Sequence, residues 1–128
     1  MKKIATIITI LLISSFGFAQ NGAKIEFKSN DNTIDYGTVN KKNDSGIRSV
    51  EFTNTGNAPL LVSNVLSTSG FTISSTPTAA IAPGKTGKFN IKYNMTPGPI
   101  RKTITVETNA VNYDSGRIPL KIKGEVID

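Results

Sequence analysis

The sequence contains no cysteine, no histidine and no tryptophan. Without cysteine, the chain cannot form a disulfide, a thiolate metal site or a thiol nucleophile. Without histidine, it lacks the most common general base, the usual serine triad and imidazole metal ligands. A domain built from this sequence must therefore be stabilised by its core and its backbone hydrogen bonds, and we predict no catalytic residue, no cofactor and no metal site.

The sequence also contains only one long apolar run, and this run lies near the N-terminus. Residues 4–13 are nearly all apolar and follow two lysines, and Gly17-Phe18-Ala19 offers the small residues that a signal peptidase recognises. The run of about 15 residues is shorter than the roughly 20 that a spanning helix needs. We predict a signal peptide over residues 1–19 rather than a retained anchor. The domain over residues 20–128 is then exported, periplasmic or extracellular, and does not span a membrane.

Negative charge is in the minority, since 9 Asp and Glu stand against 15 Lys and Arg, for a formal net charge of +6. Two of the lysines belong to the predicted signal peptide, and the others are spread along the chain. A mild, dispersed excess favours acidic partners only weakly. We therefore predict no nucleic-acid partner.

Most of the chain shows an alternation of apolar and polar residues with a period of two, as in Phe89, Ile91 and Tyr93. Alternation predicts strands with one buried and one exposed face, which are typical of antiparallel sheets. Strands are predicted near residues 24–28, 34–39, 46–53, 59–66, 70–75, 86–94, 99–108 and 116–126. Seven to eight short strands separated by turn signals predict an all-β fold, an immunoglobulin-like antiparallel β-sandwich. Pro119 interrupts the last strand and should lie at an edge or a bulge.

The stretch APGKTGKF, residues 82–89, contains the Gly-Lys-Thr that ends many phosphate-binding loops. Such a loop needs an earlier glycine, where this chain has Ala79, and it must open a helix. A strand pattern follows instead, and Pro83-Gly84 is a common turn pair. We predict a turn between two strands and no nucleotide site.

Four segments, in order, resemble motifs of the DUF1573 family of exported bacterial proteins. They are IDYGTV (34–39), VEFTNTGNAPL (50–60), IAPGKTGKFNIKYN (81–94) and KTITVETN (102–109) with its continuation over 118–126. The resemblance covers about residues 25–127. It implies an immunoglobulin-like domain, related to the ASPM-SPD-2-Hydin and major-sperm-protein modules, that serves as an interaction module without an enzymatic reaction.

One departure from the family pattern concerns the place where many members carry Cys-Gly-Cys. This chain has Ser69-Gly70-Phe71 there, so a metal, redox or disulfide role cannot be carried over. We predict that Phe71 packs into the core or caps its end. Candidate partner-binding loops are STSGFT (67–72), NMTPGP (94–99) and NAVNYDSG (109–116).

Four lysines are candidates for an anion-binding surface. Lys88 and Lys92 share the outer face of one predicted strand, and Lys121 and Lys123 share that of another. If the two strands are neighbours, the lysines form one basic stripe that could face lipopolysaccharide, an acidic glycan or an acidic protein. Otherwise they are a solvated face whose charges discourage aggregation.

Weaker patterns leave two other classes of site to consider. The oxygen-rich stretch SNDNTID (29–35) could hold calcium, although it lacks the glycine and terminal glutamate of an EF-hand loop and is better interpreted as a polar loop. Asp31, Asp35 and Asp44 lie close in sequence and could form the carboxylate pair of a small glycoside hydrolase, but turns commonly use Asp for backbone capping. Tyr113 is the aromatic residue predicted to be most exposed, and it could stack on a sugar.

Taken together, these observations predict a non-catalytic, exported interaction module of the bacterial cell envelope. The partner is expected to be an envelope or secreted protein that binds at sheet edges or end loops. A carbohydrate-binding module with a glycan partner is the alternative, and the sequence does not predict an oligomeric state.

Overall fold

The computed structural model describes residues 21–128. The predicted signal peptide and its cleavage after Ala19 lie outside the described residues. Within the described part, no helix is long and apolar enough to cross a membrane.

The described chain is built from strands and contains two short 3₁₀ turns, Asn30–Asn32 and Asp114–Gly116. In chain order the strands are β1 (Ile25–Phe27), β2 (Thr33–Asn40), β3 (Ile47–Asn54), β4 (Val62–Leu66), β5 (Phe71–Ser74), β6 (Thr86–Tyr93), β7 (Gly98–Thr108) and β8 (Arg117–Ile127). Each predicted strand has a counterpart, which confirms the all-β prediction. The fourth begins later than predicted, because Leu60 makes only an isolated bridge to Ile81.

The strands form two four-stranded sheets that pack as a sandwich. The first sheet has the order β1-β3-β6-β5, and the second has the order β2-β8-β7-β4. All neighbouring strands are antiparallel except β2 and β8, which run parallel with Ile34 opposite Ile122. The chain changes sheets between β1 and β2, and β2 runs in the same direction as the last strand.

The inward-facing residues of both sheets form one core. Phe52, Phe89 and Ile91 come from the first sheet, and Ile118 and Leu120 come from the second. Their alternation with exposed residues is the pattern that predicted the strands.

Asn54 is the one buried polar residue among residues 21–128. Its Nδ2 donates to the carbonyls of Ala58 and Ile81, each at 2.8 Å, and its Oδ1 accepts the N–H of Gly56 at 2.9 Å. These bonds satisfy a side chain whose burial would otherwise be costly. Asn54 therefore joins the end of β3 to the loops that surround it.

The stretch APGKTGKF forms a turn, as predicted. Lys85 N–H donates to Ala82 O at 3.0 Å, and Gly84 at the third position has a φ of +82°. This is the arrangement of a type II turn with proline at its second position. β6 starts at Thr86, so the turn leads into a strand instead of the helix that a phosphate loop requires.

Pro119 lies in β8, an interior strand of its sheet. It is paired with Thr105 of β7, whereas the pairing of β8 with β2 begins only at Lys121 opposite Thr33. At Pro119, β8 therefore has a strand neighbour on one side only. This meets the expectation of a local edge and explains how the sheet accommodates a residue without an N–H.

Candidate partner-binding seam

A two-layered sandwich leaves four edge strands whose outward N–H and C=O groups need partners. Here they are β1 and β5 in the first sheet and β2 and β4 in the second. β4 and β5 line one groove, so they share one long side of the sandwich. β1 and β2 are the edges of the opposite side.

The edge of β1 is closed by the loop between β7 and β8. Ile25 N–H donates to Asn112 Oδ1 at 3.1 Å, and Asn112 Nδ2 donates to Ile25 O at 3.0 Å. Val111 N–H donates to Ala23 O at 2.8 Å. Because the asparagine amide supplies one donor and one acceptor, it forms the two hydrogen bonds that a neighbouring strand would form. We call this loop, residues 109–113, the edge-closing loop.

Tyr113 anchors the edge-closing loop. Its ring is half-buried against the core, and its hydroxyl accepts a hydrogen bond from Asn32 Nδ2 at 2.9 Å. The sequence correctly placed Tyr113 in a polar loop but predicted too much exposure, because its contact with Asn32 is not visible in the sequence. The Tyr113 ring is therefore less exposed than the carbohydrate-binding alternative assumed.

The edge of β2 is interrupted by an irregularity. The register with β8 shifts between Asp35 and Thr38, and Gly37 N–H donates to Asp35 Oδ1 at 2.8 Å. A bulge of this kind twists an edge away from further pairing. Asp35 thus caps the backbone, which is the role that turns commonly give to Asp.

The edge of β4 is irregular as well. Its register with β7 shifts between Val62 and Asn64, and Val65 N–H donates to Asn64 Oδ1 at 2.9 Å. The amide of Val65 is therefore occupied by the side chain of the preceding residue. Ser63 Oγ donates to Glu107 O at 3.0 Å and holds the bulge on β7.

The loop that precedes β5 supplies hydrogen-bond partners for the backbone of its first residue, Phe71. Phe71 N–H donates to Thr68 O at 3.1 Å, and Ser67 Oγ donates to Phe71 O at 2.7 Å. Phe71 is buried in the core, as predicted, and Gly70 adopts a φ of +87° beside it. Ser69 is exposed, and its Oγ accepts a hydrogen bond from Lys102 Nζ at 3.0 Å.

Ile73 is the place where β5 remains open. Tyr93 N–H donates to Gly46 O toward β3, whereas Asn94 N–H donates to Gly70 O toward β5. Alternation along β6 then directs the backbone of Ile91 toward β3. Since Ile73 lies opposite Ile91, its N–H and C=O point away from β6. Within residues 21–128, no side chain donates to or accepts from this pair.

A groove of about 540 Å³ runs between the edges of β4 and β5. It is lined by Val62, Ser63, Asn64, Val65, Ile73, Thr76, Pro77 and Thr78. Val65 and Ile73 are half-buried apolar residues that pack against the core from opposite sheets. We call this groove, together with the outward backbone of Ile73, the open seam.

A cluster of polar and aromatic residues lies at the end of the sandwich near Phe71. Tyr36 contacts Phe71 edge to face with ring centroids 6.3 Å apart, and its hydroxyl donates to Gly46 O at 2.7 Å. The Arg48 guanidinium lies 4.2 Å from the centre of the Tyr36 ring and binds both oxygens of Asp44, at 2.8 and 3.0 Å. We call Tyr36, Arg48 and Asp44 the end cluster.

The end cluster is poorly suited to acid–base chemistry near neutral pH. Burial raises the pKa of Tyr36 to about 12. The hydrogen bond from Arg48 lowers the pKa of Asp44 to about 2. Asp44 is therefore a fixed carboxylate rather than the proton donor that a glycoside hydrolase needs. Among residues 21–128, no three Asp or Glu residues come together as a metal site, including in the stretch 29–35.

The four candidate lysines do not form one stripe. Lys88 and Lys92 lie on β6 in the first sheet, whereas Lys121 and Lys123 lie on β8 in the second. The stripe required β6 and β8 to be neighbours. That condition is not met, because β6 pairs with β3 and β5 while β8 pairs with β2 and β7.

Comparison with known proteins identifies the family. The family model described as "Protein of unknown function (DUF1573)" matches residues 25–126. The chain belongs to the DUF1573 family. No curated protein matches the chain.

Solved structures show that this DUF1573 domain shares its fold with distant proteins. A protein of unknown function from Porphyromonas gingivalis W83 matches with a TM-score of 0.64 and 18% identity, over 82% of this chain and 47% of that chain. The VesB protease of Vibrio cholerae matches with a TM-score of 0.60 and 13% identity, over 80% and 32%. The ASH/PapD-like domain 7 of human CEP192 matches with a TM-score of 0.58 and 13% identity, over 89% and 93%.

These likenesses concern the fold alone, because the identities are low. The DUF1573 chain spans about half of the P. gingivalis protein and a third of the protease. The PapD-like domain of CEP192 is matched over nearly its whole length.

Proposed function

We propose that this protein is a non-catalytic interaction module of the bacterial cell envelope that binds an extended segment of a protein partner in the open seam. The observation that carries the proposal is the outward backbone pair of Ile73 beside a groove of mixed polarity that contains Val65 and Ile73. The other three edge strands are closed by Asn112 or interrupted by bulges.

Binding by strand addition uses the groups that the seam offers. A partner strand placed beside β5 forms hydrogen bonds with Ile73 N–H and C=O, and its alternate side chains lie over Val65 and Ile73. Each hydrogen bond contributes only about 1 kcal/mol net, so burial of apolar side chains must supply most of the affinity. The preferred partner segment therefore alternates apolar and polar residues.

The absence of catalysis is supported by the chemistry of the chain. The sequence has no histidine or cysteine, and the most strongly perturbed carboxyl group, that of Asp44, is held in an ion pair with Arg48. The likeness to a protease covers 32% of the protease chain. The likeness therefore gives no reason to assign the protease's activity to this chain.

Export is proposed from the N-terminal sequence alone. Intact-mass measurement of the protein from periplasmic and culture fractions tests it. A mass that corresponds to a chain starting at Gln20 is expected in one of these fractions, and a full-length chain confined to the cytoplasm would contradict export.

Binding in the seam is tested by site-specific photocrosslinking in native envelopes. A photoreactive residue at Thr78, on the rim of the groove, is compared with one at exposed Glu26 on β1. Crosslinks to one protein are expected from Thr78 and not from Glu26. Ile73→Pro in the Thr78 background should abolish them because it removes the outward N–H, whereas Ile73→Val should preserve them.

The folding of Ile73→Pro is checked by circular dichroism before its crosslinks are scored. Equal crosslinking from Thr78 and Glu26, or crosslinking unaffected by Ile73→Pro in a folded variant, would overturn the proposed site.

A further inference from the structure

Three cations lie together on the outer face of the second sheet. Arg101 of β7 is directly opposite Lys123 of β8, and Lys121 lies two residues from Lys123 on the same strand. All three side chains are exposed. Like charges directly opposite on neighbouring strands destabilise a sheet. The arrangement therefore has a cost in the free protein that a bound anion would relieve.

Two hydroxyl groups lie beside these cations. Lys121 is opposite Thr103 on β7 and opposite Thr33 on β2. The three cations and the two threonines border a shallow groove of about 440 Å³. The groove is lined by Thr33, Arg101, Lys102, Thr103, Lys121, Ile122 and Lys123. The lining includes no carboxylate among residues 21–128. Thr33 Oγ1 donates to Asp31 O at 3.1 Å, so Thr103 supplies the hydroxyl donor that stands beside the positive charge. We call it the cationic groove.

Nearby acidic residues compensate this charge only in part. Asp35 Oδ2 lies 3.9 Å from Lys123 Nζ, and Asp35 Oδ1 is occupied by Gly37 N–H. Glu125 lies beyond the groove, opposite Pro99. Within residues 21–128, neither Arg101 nor Lys121 forms an ion pair.

The outer face of the first sheet provides a contrast. Lys88 there is opposite Glu51, whose carboxylate also pairs with Lys28 at 3.2 Å. Lys92 lies between Ile47 and Thr72 on the neighbouring strands. Lys88 and Lys92 therefore do not form a cluster of cations on the first sheet, although both sheets alternate buried and exposed residues.

We propose that the cationic groove binds a phosphate monoester. Arginine can bind two phosphate oxygens through its planar guanidinium, lysines supply point charges, and the Thr103 hydroxyl donates a further hydrogen bond. A monoester carries close to two negative charges near neutral pH, which suits three cations better than a carboxylate does. The groove lies on an open sheet face, so the phosphate can belong to a soluble ester or to a lipid headgroup. This site is separate from the open seam.

The test is a titration of the purified, ¹⁵N-labelled protein with glycerol 3-phosphate, followed by NMR, with glycerol as the neutral control. Saturable shifts are expected at Thr33, Thr103 and Lys121 with glycerol 3-phosphate only. The double variant Arg101→Gln/Lys121→Gln should weaken binding at least tenfold. The matched variant Lys88→Gln/Lys92→Gln removes the same charge from the first sheet and should leave the affinity unchanged.

A second arm uses phosphatidylcholine vesicles with and without phosphatidic acid. Binding of soluble ester and of phosphatidic acid vesicles supports the site for both sources, and binding of one alone identifies the source. No saturable binding in either arm, or equal weakening by the two double variants, would overturn the proposal.

Thermal unfolding of Arg101→Gln provides an independent measurement. Removing one member of the like-charged pair should raise the Tm by about 1 °C while binding weakens. A lowered Tm accompanied by unchanged binding would count against both the repulsion and the site.

Discussion

The two long sides of the sandwich differ in how the outward backbone groups of their edge strands are hydrogen-bonded. On the β1 side, Asn112 supplies a donor and an acceptor to Ile25, and Tyr113 holds the edge-closing loop in place. On the β5 side, the preceding loop satisfies Phe71 but leaves the backbone of Ile73 facing outward. The two sides therefore differ in whether the outward backbone groups of the edge strand have hydrogen-bond partners, and the proposed open seam depends on that difference.

The end cluster joins these two sides, since Tyr36 of β2 contacts Phe71 of β5. The pKa of Asp44 is about 2 in the folded protein, below its ordinary value of 3.8. A lowered carboxyl pKa contributes stability that is present above about pH 4 and is lost as the pH falls through 2. We expect a loss of about 2 kcal/mol over that range.

Denaturant unfolding at pH 6, 4, 3 and 2 measures this dependence. Asp44→Asn serves as the control and should show a shallower decline than the wild type. If both proteins lose stability in parallel below pH 4, the ion pair with Arg48 does not lower the pKa of Asp44.

Removal of the edge-closing contact should convert the closed side into an open one. Asn112→Ala deletes both hydrogen bonds to Ile25, so we expect it to lower the free energy of unfolding by about 1.5 kcal/mol. It should also accelerate hydrogen exchange of the Ile25 amide. Asn57→Ala, which removes the contact of another exposed asparagine with Gly22, is the matched control and should leave Ile25 exchange unchanged.

The smallest expected effect concerns β4. Asn64→Ala frees the amide of Val65, but Asn64 is exposed, so stability should change by no more than about 0.5 kcal/mol. Exchange of the Val65 amide should become faster. Ser63→Ala removes a contact on the β7 side and should leave that amide unaffected. Slow exchange of Val65 in Asn64→Ala would mean that another group closes this edge.

The sequence predicted the strands well because each strand carries its own signal. The alternation of Phe89, Ile91 and Tyr93 defines a buried face without reference to any partner strand. The turn at Pro83-Gly84 is equally local, since proline and glycine set its dihedral angles. Phe71 was also correctly predicted to pack into the core, because it is the apolar residue where many family members carry the second cysteine.

Features that depend on which strands are neighbours could not be predicted in this way. Alternation identifies the buried face of β8 but does not reveal that β8 pairs in parallel with β2. The lysine stripe failed on that point, and the cationic groove went unnoticed because Arg101 and Lys121 are distant in sequence. Asn112 also gave no signal, since an asparagine in a polar loop is ordinary until its contact with Ile25 is known.

Amide hydrogen exchange of the free protein, measured by NMR, tests the contrast between the two sides most directly. The Ile25 amide, which donates to Asn112, should exchange at least about 100-fold more slowly than the Ile73 amide. That result would establish β5 as the edge available to a partner strand. Comparable protection of Ile25 and Ile73 would show that β5 is already closed, and it would contradict the open seam.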